Sequence, residues 1–94
     1  MLFRSVDARP RLLGWQAPRY PPSAASAGVE VDVPVDVVID TEGSVIEVRL
    51  PKHFGYGLDE AAIAAARSYR FSRGLKAGRA VRVRMRCTVM FRLN

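Results

Sequence analysis

Val29-Glu30-Val31-Asp32-Val33-Pro34-Val35-Asp36-Val37-Val38-Ile39 is the stretch whose reading decides the fold. Val29, Val31, Val33, Val35, Val37 and Ile39 alternate with Glu30, Asp32, Pro34, Asp36 and Val38, the period-2 pattern of a strand with one buried and one wet face. The chain closes on a second run of the same habit. There Val81, Val83, Met85, Cys87, Val89, Phe91 and Leu93 take one face, and Arg82, Arg84, Arg86, Thr88, Met90 and Arg92 the other. The wet faces carry opposite charge, and directly opposed unlike charges favour pairing by ~0.2–1 kcal/mol each. The acidic strand and the arginine strand are therefore expected to be sheet neighbours.

Between these two runs, Asp40-Thr41-Glu42-Gly43 reads as a four-residue turn, with glycine where a positive φ is expected. It leads into a further strand over Val45–Leu50, which Pro51 ends. Leu58-Asp59-Glu60 opens a helix, with acids in its first turn and Arg67 and Arg70 in its last, each favoured by the helix dipole by ~0.3–1 kcal/mol. Leu58, Ala62, Ile63, Ala66 and Tyr69 form its apolar stripe, and Phe71 is expected to plug the helix end against the sheet. Upstream, Tyr20-Pro21-Pro22-Ser23 opens a short helix of small residues that Gly28 closes. Lys52–Gly57 and Ser72–Gly78 read as loops, and Gly55-Tyr56-Gly57 lacks the spacing and the following Lys and Ser/Thr of a phosphate cradle.

The order is α-β-β-α-β, and a helix that crosses from the second strand to the arginine strand leaves the acidic strand in the middle. The predicted fold is α+β: a three-stranded antiparallel sheet, order 2-1-3, with helices packed on one face. Pro34 cannot supply a ladder N–H, so it calls for a bulge or a position beyond the reach of one neighbour. Residues 1–17 show no clean period and read as a lead-in or linker ahead of a domain spanning 18–94. Trp15 is expected to pack back on that domain, because leaving its ring in water forgoes ~1.5–3 kcal/mol.

Ninety-four residues make one domain, which buries ~60–68% of its unfolded surface and so has one thin core layer. Charged residues are 26% and hydrophobic ones 49%, an ordinary globular balance. The net charge of +6 comes from thirteen arginines against only two lysines, Lys52 and Lys76. Such a balance is compatible with nucleic acid, anionic lipid or acidic protein partners. A single cysteine makes no internal disulfide, which fits a reducing compartment or an envelope protein without bridges. No run approaches the ~18 apolar residues that cross a membrane, and Met1-Leu2-Phe3-Arg4 carries no signal-like run. A soluble domain is expected, with any anchor or export signal outside it.

From about Pro18 to Leu93 the chain resembles the C-terminal domain of TonB-family energy transducers, with the TolA C-terminal fold as a more distant likeness. Tyr20-Pro21 before a small-residue helix, Ala27-Gly28, Ile39-Asp40, Gly43, Val45 and Val48 sit where that family places them. So do Leu58-Asp59 with Ala61-Ala62, Arg67, Arg70-Phe71, Gly78 and Phe91-Arg92-Leu93. The chain departs from the pattern at Val31, where the family usually has a glycine, at Arg73, where it has a proline, and at Arg19, where the best-known members carry glutamine. These differences bear on the partner rather than on the fold.

The resemblance implies a periplasmic domain, tethered to the inner membrane through an anchor outside this chain. Such a domain grips a short segment of an outer-membrane transporter and passes on force from a proton-driven inner-membrane motor. An envelope adaptor or scaffold of a secretion or motility complex, without energy transduction, is the alternative within the same fold. An arginine-rich nucleic-acid-binding module is a second alternative. It is disfavoured because Glu30, Asp32 and Asp36 should neutralise the arginine row and that face lacks aromatics for base stacking.

No enzyme, metal site or cofactor is expected: His53 has no second ligand at metal spacing, the helix start explains Asp59 and Glu60, and Cys87 falls on the apolar side of its strand as an inert hydrophobe. With the acidic strand central, the arginine strand keeps a free edge, a template for a strand from another chain. The candidate partner-binding residues are Arg19, Tyr20, Pro21, Arg82, Arg84, Arg86, Thr88 and Met90. The expected partner is an extended acidic or acceptor-rich segment of an outer-membrane transporter or other envelope protein, paired along Arg82–Phe91. The same edge is also suited to a weak homodimer.

Overall fold

The computed structural model describes residues 2–93; Met1 and Asn94, the outer limits of the expected lead-in and domain, lie outside the described residues. In chain order the elements are β1 (Leu2–Phe3), β2 (Leu12–Gly14), α1 (Pro22–Ser26), β3 (Val31–Ile39), β4 (Val45–Arg49), α2 (Leu58–Arg67), β5 (Arg70–Phe71), β6 (Gly74–Lys76) and β7 (Arg79–Phe91). The acidic strand β3 is central. It runs antiparallel to β7 from Val31 opposite Phe91 to Ile39 opposite Val83, and antiparallel to β4 over Asp36–Ile39. The α+β class and the expected sequence of the three long strands are both present, as β4-β3-β7.

The sheet is larger than the expected three antiparallel strands, and it is mixed. Beyond β7 lies β1, parallel to it, with Leu2 opposite Arg82 and Phe3 opposite Val83. The stretch read as a loop over Ser72–Gly78 contains β6, which folds onto the start of β7 through Ala77-Gly78. Both turn residues have positive φ, 51° and 76°, as a two-residue hairpin turn requires. Alanine is an unusual residue for that conformation. Here the Ala77 amide donates to Asp7 Oδ2 at 2.6 Å, which fixes the turn from outside.

The segment read as a lead-in runs beside these strands. Ala8 bridges Leu75, the Ser72 amide donates to the Arg11 carbonyl at 2.8 Å, and β2 pairs antiparallel with β5. The Lys76 ammonium sits 5.3 Å from the centre of the Phe3 ring, a cation–π contact that holds β1 in place.

Val33, Val35, Val37 and Ile39 of β3 are fully buried with Val89 and Phe91 of β7. Over them lie Ala24 of α1 and Leu58, Ala62, Ala65 and Ala66 of α2, and the alanines let the helices lie close on the sheet. Ile63, expected on the buried stripe, is only half-buried, and Ala65 takes the inward position. The helix ends at Arg67, so Arg70 and Phe71 form a short strand rather than a last turn.

Phe71 is 5% exposed, in keeping with a plug at the helix end. Its amide donates to the Gly43 carbonyl at 2.9 Å, which docks β5 on the β3–β4 turn. Pro34 is accommodated by the second of its two options: β4 reaches along β3 only to Asp36, so at Pro34 the strand has one neighbour, Thr88. The register shift falls instead between Val38 and Ile39.

Candidate functional site

On the face of the sheet away from the helices the two charged rows meet as the alternation predicts. Asp36 lies directly opposite Arg86, which donates from Nε to Oδ1 at 2.8 Å and from a terminal nitrogen to Oδ2 at 3.2 Å. This bidentate, charge-assisted geometry is the main reason the Asp36 carboxyl is held below the usual carboxylate range. Arg92 reaches Asp32 at 2.5 Å, and Arg84 and Arg49 each stand 4.0 Å from Glu47. Arg82 makes no ion pair among the described residues.

The outer edge of β7, opposite β3, is divided. β1 occupies it at Arg82 and Val83, so the free edge expected from Arg82 starts only at Arg84. From there to Phe91 no backbone segment pairs with it among the described residues. The edge is closed at its start by the backbone pairing of Leu2 and Phe3, and Lys76 of β6 clasps the Phe3 ring.

A groove of about 500 Å³ opens on this free edge. One wall is Leu12, Trp15, Ala17 and Pro18; Tyr20 and Tyr69 line it from the helix side; Thr88, Met90 and Arg92 line it from the charged face. The cavity touches Tyr20 and Tyr69 of the helix layer as well as Thr88, Met90 and Arg92, and β3 already occupies the other edge of β7 at Thr88 and Met90, which puts the cavity at the outer edge. Tyr20 is fixed by packing its ring edge-on against Phe91 at 5.6 Å and by donating its hydroxyl to the Val29 carbonyl. Burial raises the hydroxyl pKa of both Tyr20 and Tyr69, so both stay neutral phenols at physiological pH.

Trp15 corrects an expectation: it is 62% exposed rather than packed into the domain. Among the described residues β2 pairs only with the short β5, and Phe91 with Tyr69 and Phe71 already fills the core.

Of the eight expected partner-binding residues, Tyr20, Thr88 and Met90 share this groove. Arg82 and Arg84 border a separate recess with Leu2, Val38, Ile46 and Glu47, and Arg84 and Arg86 border another with Arg4 and Asp36. Arg19 and Pro21 line none of the three, and Pro21 serves as the N-cap of α1. Leu12, Ala17, Pro18, Tyr69 and Arg92 complete the groove without having been singled out as partner contacts. The one available signal is an isolated aromatic among prolines, Trp15, which the sequence favours as a residue packed on the domain. Among the described residues no group of three or more metal-ligating side chains occurs. Burial pushes the Cys87 thiol up to about 11.

The backbone is similar to the solution structure of the Pseudomonas aeruginosa TonB C-terminal domain, with a TM-score of 0.70 over 94% of this chain and 90% of that one, at 21% identity. In sequence the chain is 38% identical over 78 residues to Protein TonB of Xanthomonas campestris pv. campestris, in strains B100 and ATCC 33913 alike. The matched region covers 82% of this chain and 35% of those relatives, so the chain spans about a third of their length. Residues 16–93 match the family described as Gram-negative bacterial TonB protein C-terminal, and the chain belongs to that family.

Proposed function

We propose that this domain is the periplasmic, partner-binding end of a TonB-like energy transducer, and that it binds a short extended segment of an outer-membrane transporter by adding it as a strand to β7 between Arg84 and Phe91. The observation that carries this reading is the unpaired outer edge of a long strand at the sheet border. Natural sheets normally cover such an edge, because its free N–H and C=O groups recruit other chains. Main-chain bonds along the edge supply affinity, and the side chains beside it supply selection. Membership of the TonB C-terminal family supports the transducer assignment. Among the described residues no helix is long and apolar enough to cross a membrane, so this reading assigns the inner-membrane anchor and the contacts to a proton-driven motor to other sequence.

The charged face supports a peptide rather than a nucleic acid, since Arg86 and Arg92 already share their charge with Asp36 and Asp32. The test is a titration of isotope-labelled domain with synthetic segments from the periplasm-facing ends of outer-membrane transporters, following backbone amides. Strand addition predicts shifts concentrated in residues 84–91 and lost when alternate peptide amides are N-methylated. Shifts confined to the 52–57 loop or to Ala77-Gly78 would refute it and leave an adaptor that binds by its loops.

A further inference from the structure

Resting on the strand-addition reading above, we propose that the groove beside Trp15 selects which segment binds: it takes one bulky apolar side chain, aromatic or long aliphatic, from an extended peptide whose flanking residues are acidic. A strand laid along the edge of β7 projects alternate side chains to opposite faces of the sheet. On the helix side it meets Tyr69 and the wall supplied by Leu12 and Trp15; on the other side it meets the row that contains Arg86 and Arg92. That row is cationic at Arg86 and Arg92 with Thr88 and Met90 between them, so the geometry asks for acidic residues at the flanks of the segment and an apolar residue between them.

Three observations sharpen that pattern. Trp15, Met90 and Leu12 are 62%, 61% and 46% exposed and converge on one cavity, and clustered apolar exposure on a soluble surface marks an interaction site. Tryptophan is also among the residues enriched at positions that dominate binding. Next, the cavity has room for one large side chain, within the ~300–1,000 Å³ range of sites that bind organic groups. Finally, Leu12 and Trp15 belong to the leading segment, so this wall is supplied from outside the central sheet and the two helices that cover it. The requirement for acidic neighbours follows from a net charge of +6 and from guanidinium groups at Arg86 and Arg92 that stay half-exposed while paired.

Trp15 is the sole tryptophan, so its fluorescence reports the groove directly. Two synthetic hexapeptides of alternating glutamate and valine, one with a central phenylalanine on the valine side and one with alanine there, are titrated into the full chain while edge amides are followed in parallel. The phenylalanine peptide is expected to bind about tenfold tighter and to move the Trp15 emission to shorter wavelength. Trp15→Ala, followed by the edge amides, should abolish that advantage. Leu12→Ala should reduce the advantage in the same direction, and exchanging glutamate for lysine should weaken both peptides.

Equal binding of the two peptides, with the amides of 84–91 moving and no emission change, overturns the groove inference and leaves strand addition standing. Failure of either peptide to move those amides refutes strand addition itself, and the groove inference falls with it. An emission shift that grows with protein concentration alone would assign the groove to a second copy of the chain and overturn the proposal.

Discussion

Replacing Gly43 by alanine tests whether the β3–β4 turn is what docks the strand that follows α2. Gly43 is buried with φ +87°, a conformation that costs an L-residue about 1–2 kcal/mol. A Cβ there would also overlap the Phe71 carbonyl oxygen and lie 3.1 Å from the carbonyl carbon. These are backbone atoms, so no rotamer change relieves the overlap and β5 itself must move. That movement breaks the bond from the Phe71 amide to the Gly43 carbonyl, worth about 0.5–1.5 kcal/mol. It also exposes part of a ring whose complete truncation costs about 3–5 kcal/mol, so a further loss of about 1 kcal/mol is expected. The sum is about 2.5–4.5 kcal/mol against a domain stability of about 5–15.

Gly78→Ala is the control: its φ is +76°, but a Cβ there meets nothing within 4 Å, so only the backbone term of about 1–2 kcal/mol applies. Urea unfolding followed by far-ultraviolet circular dichroism should place the Gly43→Ala midpoint roughly 1–2 M below that of Gly78→Ala, for a slope typical of small domains. Equal midpoints would show that β5 adjusts freely and that the contact does not organise the helix end.

Phe71→Ala should cost about 3–5 kcal/mol and leave the domain barely stable; a cooperative melt near that of the parent would mean the ring contributes little packing. Asp36→Arg should destabilise more at low salt than at high, since screening acts over ~10 Å at 0.1 M, and an absence of salt dependence would contradict the Asp36–Arg86 pairing. The same pair sets a pH dependence. With its carboxyl held low by the Arg86 hydrogen bond, Asp36 contributes its share, about 0.2–1 kcal/mol, in full above the unfolded value near ~3.9 and loses it as pH falls through the lower folded value. Asp36→Asn should flatten that acid limb, and an unchanged limb would refute it. Cys87, with its thiol raised to about 11 by burial, should react slowly with iodoacetamide at pH 8 when folded and quickly in urea; fast labelling of the native domain would contradict its position on the core side of β7.

The sequence by itself determined the long elements, because the information for them is local. A period of two over Val29–Ile39 and Val81–Leu93, with acids on one row and arginines on the other, specified which faces are buried and that the two strands lie together; the structure sets Asp36 opposite Arg86. The acidic start at Asp59-Glu60 marked α2, and Phe71 was legible as its plug because a large apolar residue past a helix end has few other places to go.

The short strands were not legible. β1, β2, β5 and β6 span two or three residues each, too few for a period to register, and β1, β2 and β5 exist only because partners distant in sequence supply their hydrogen bonds. The Ala77-Gly78 turn hid β6 for the same reason, since it is Asp7 that holds Ala77 in place. Trp15 shows the limit most plainly. Its hydrophobicity favours burial in any reading of the sequence, but whether a place in the core remains depends on how Tyr69, Phe71 and Phe91 have already filled it. The groove likewise draws on the lead-in, the Tyr20 turn, the end of α2 and the edge of β7, four stretches that only tertiary packing brings together.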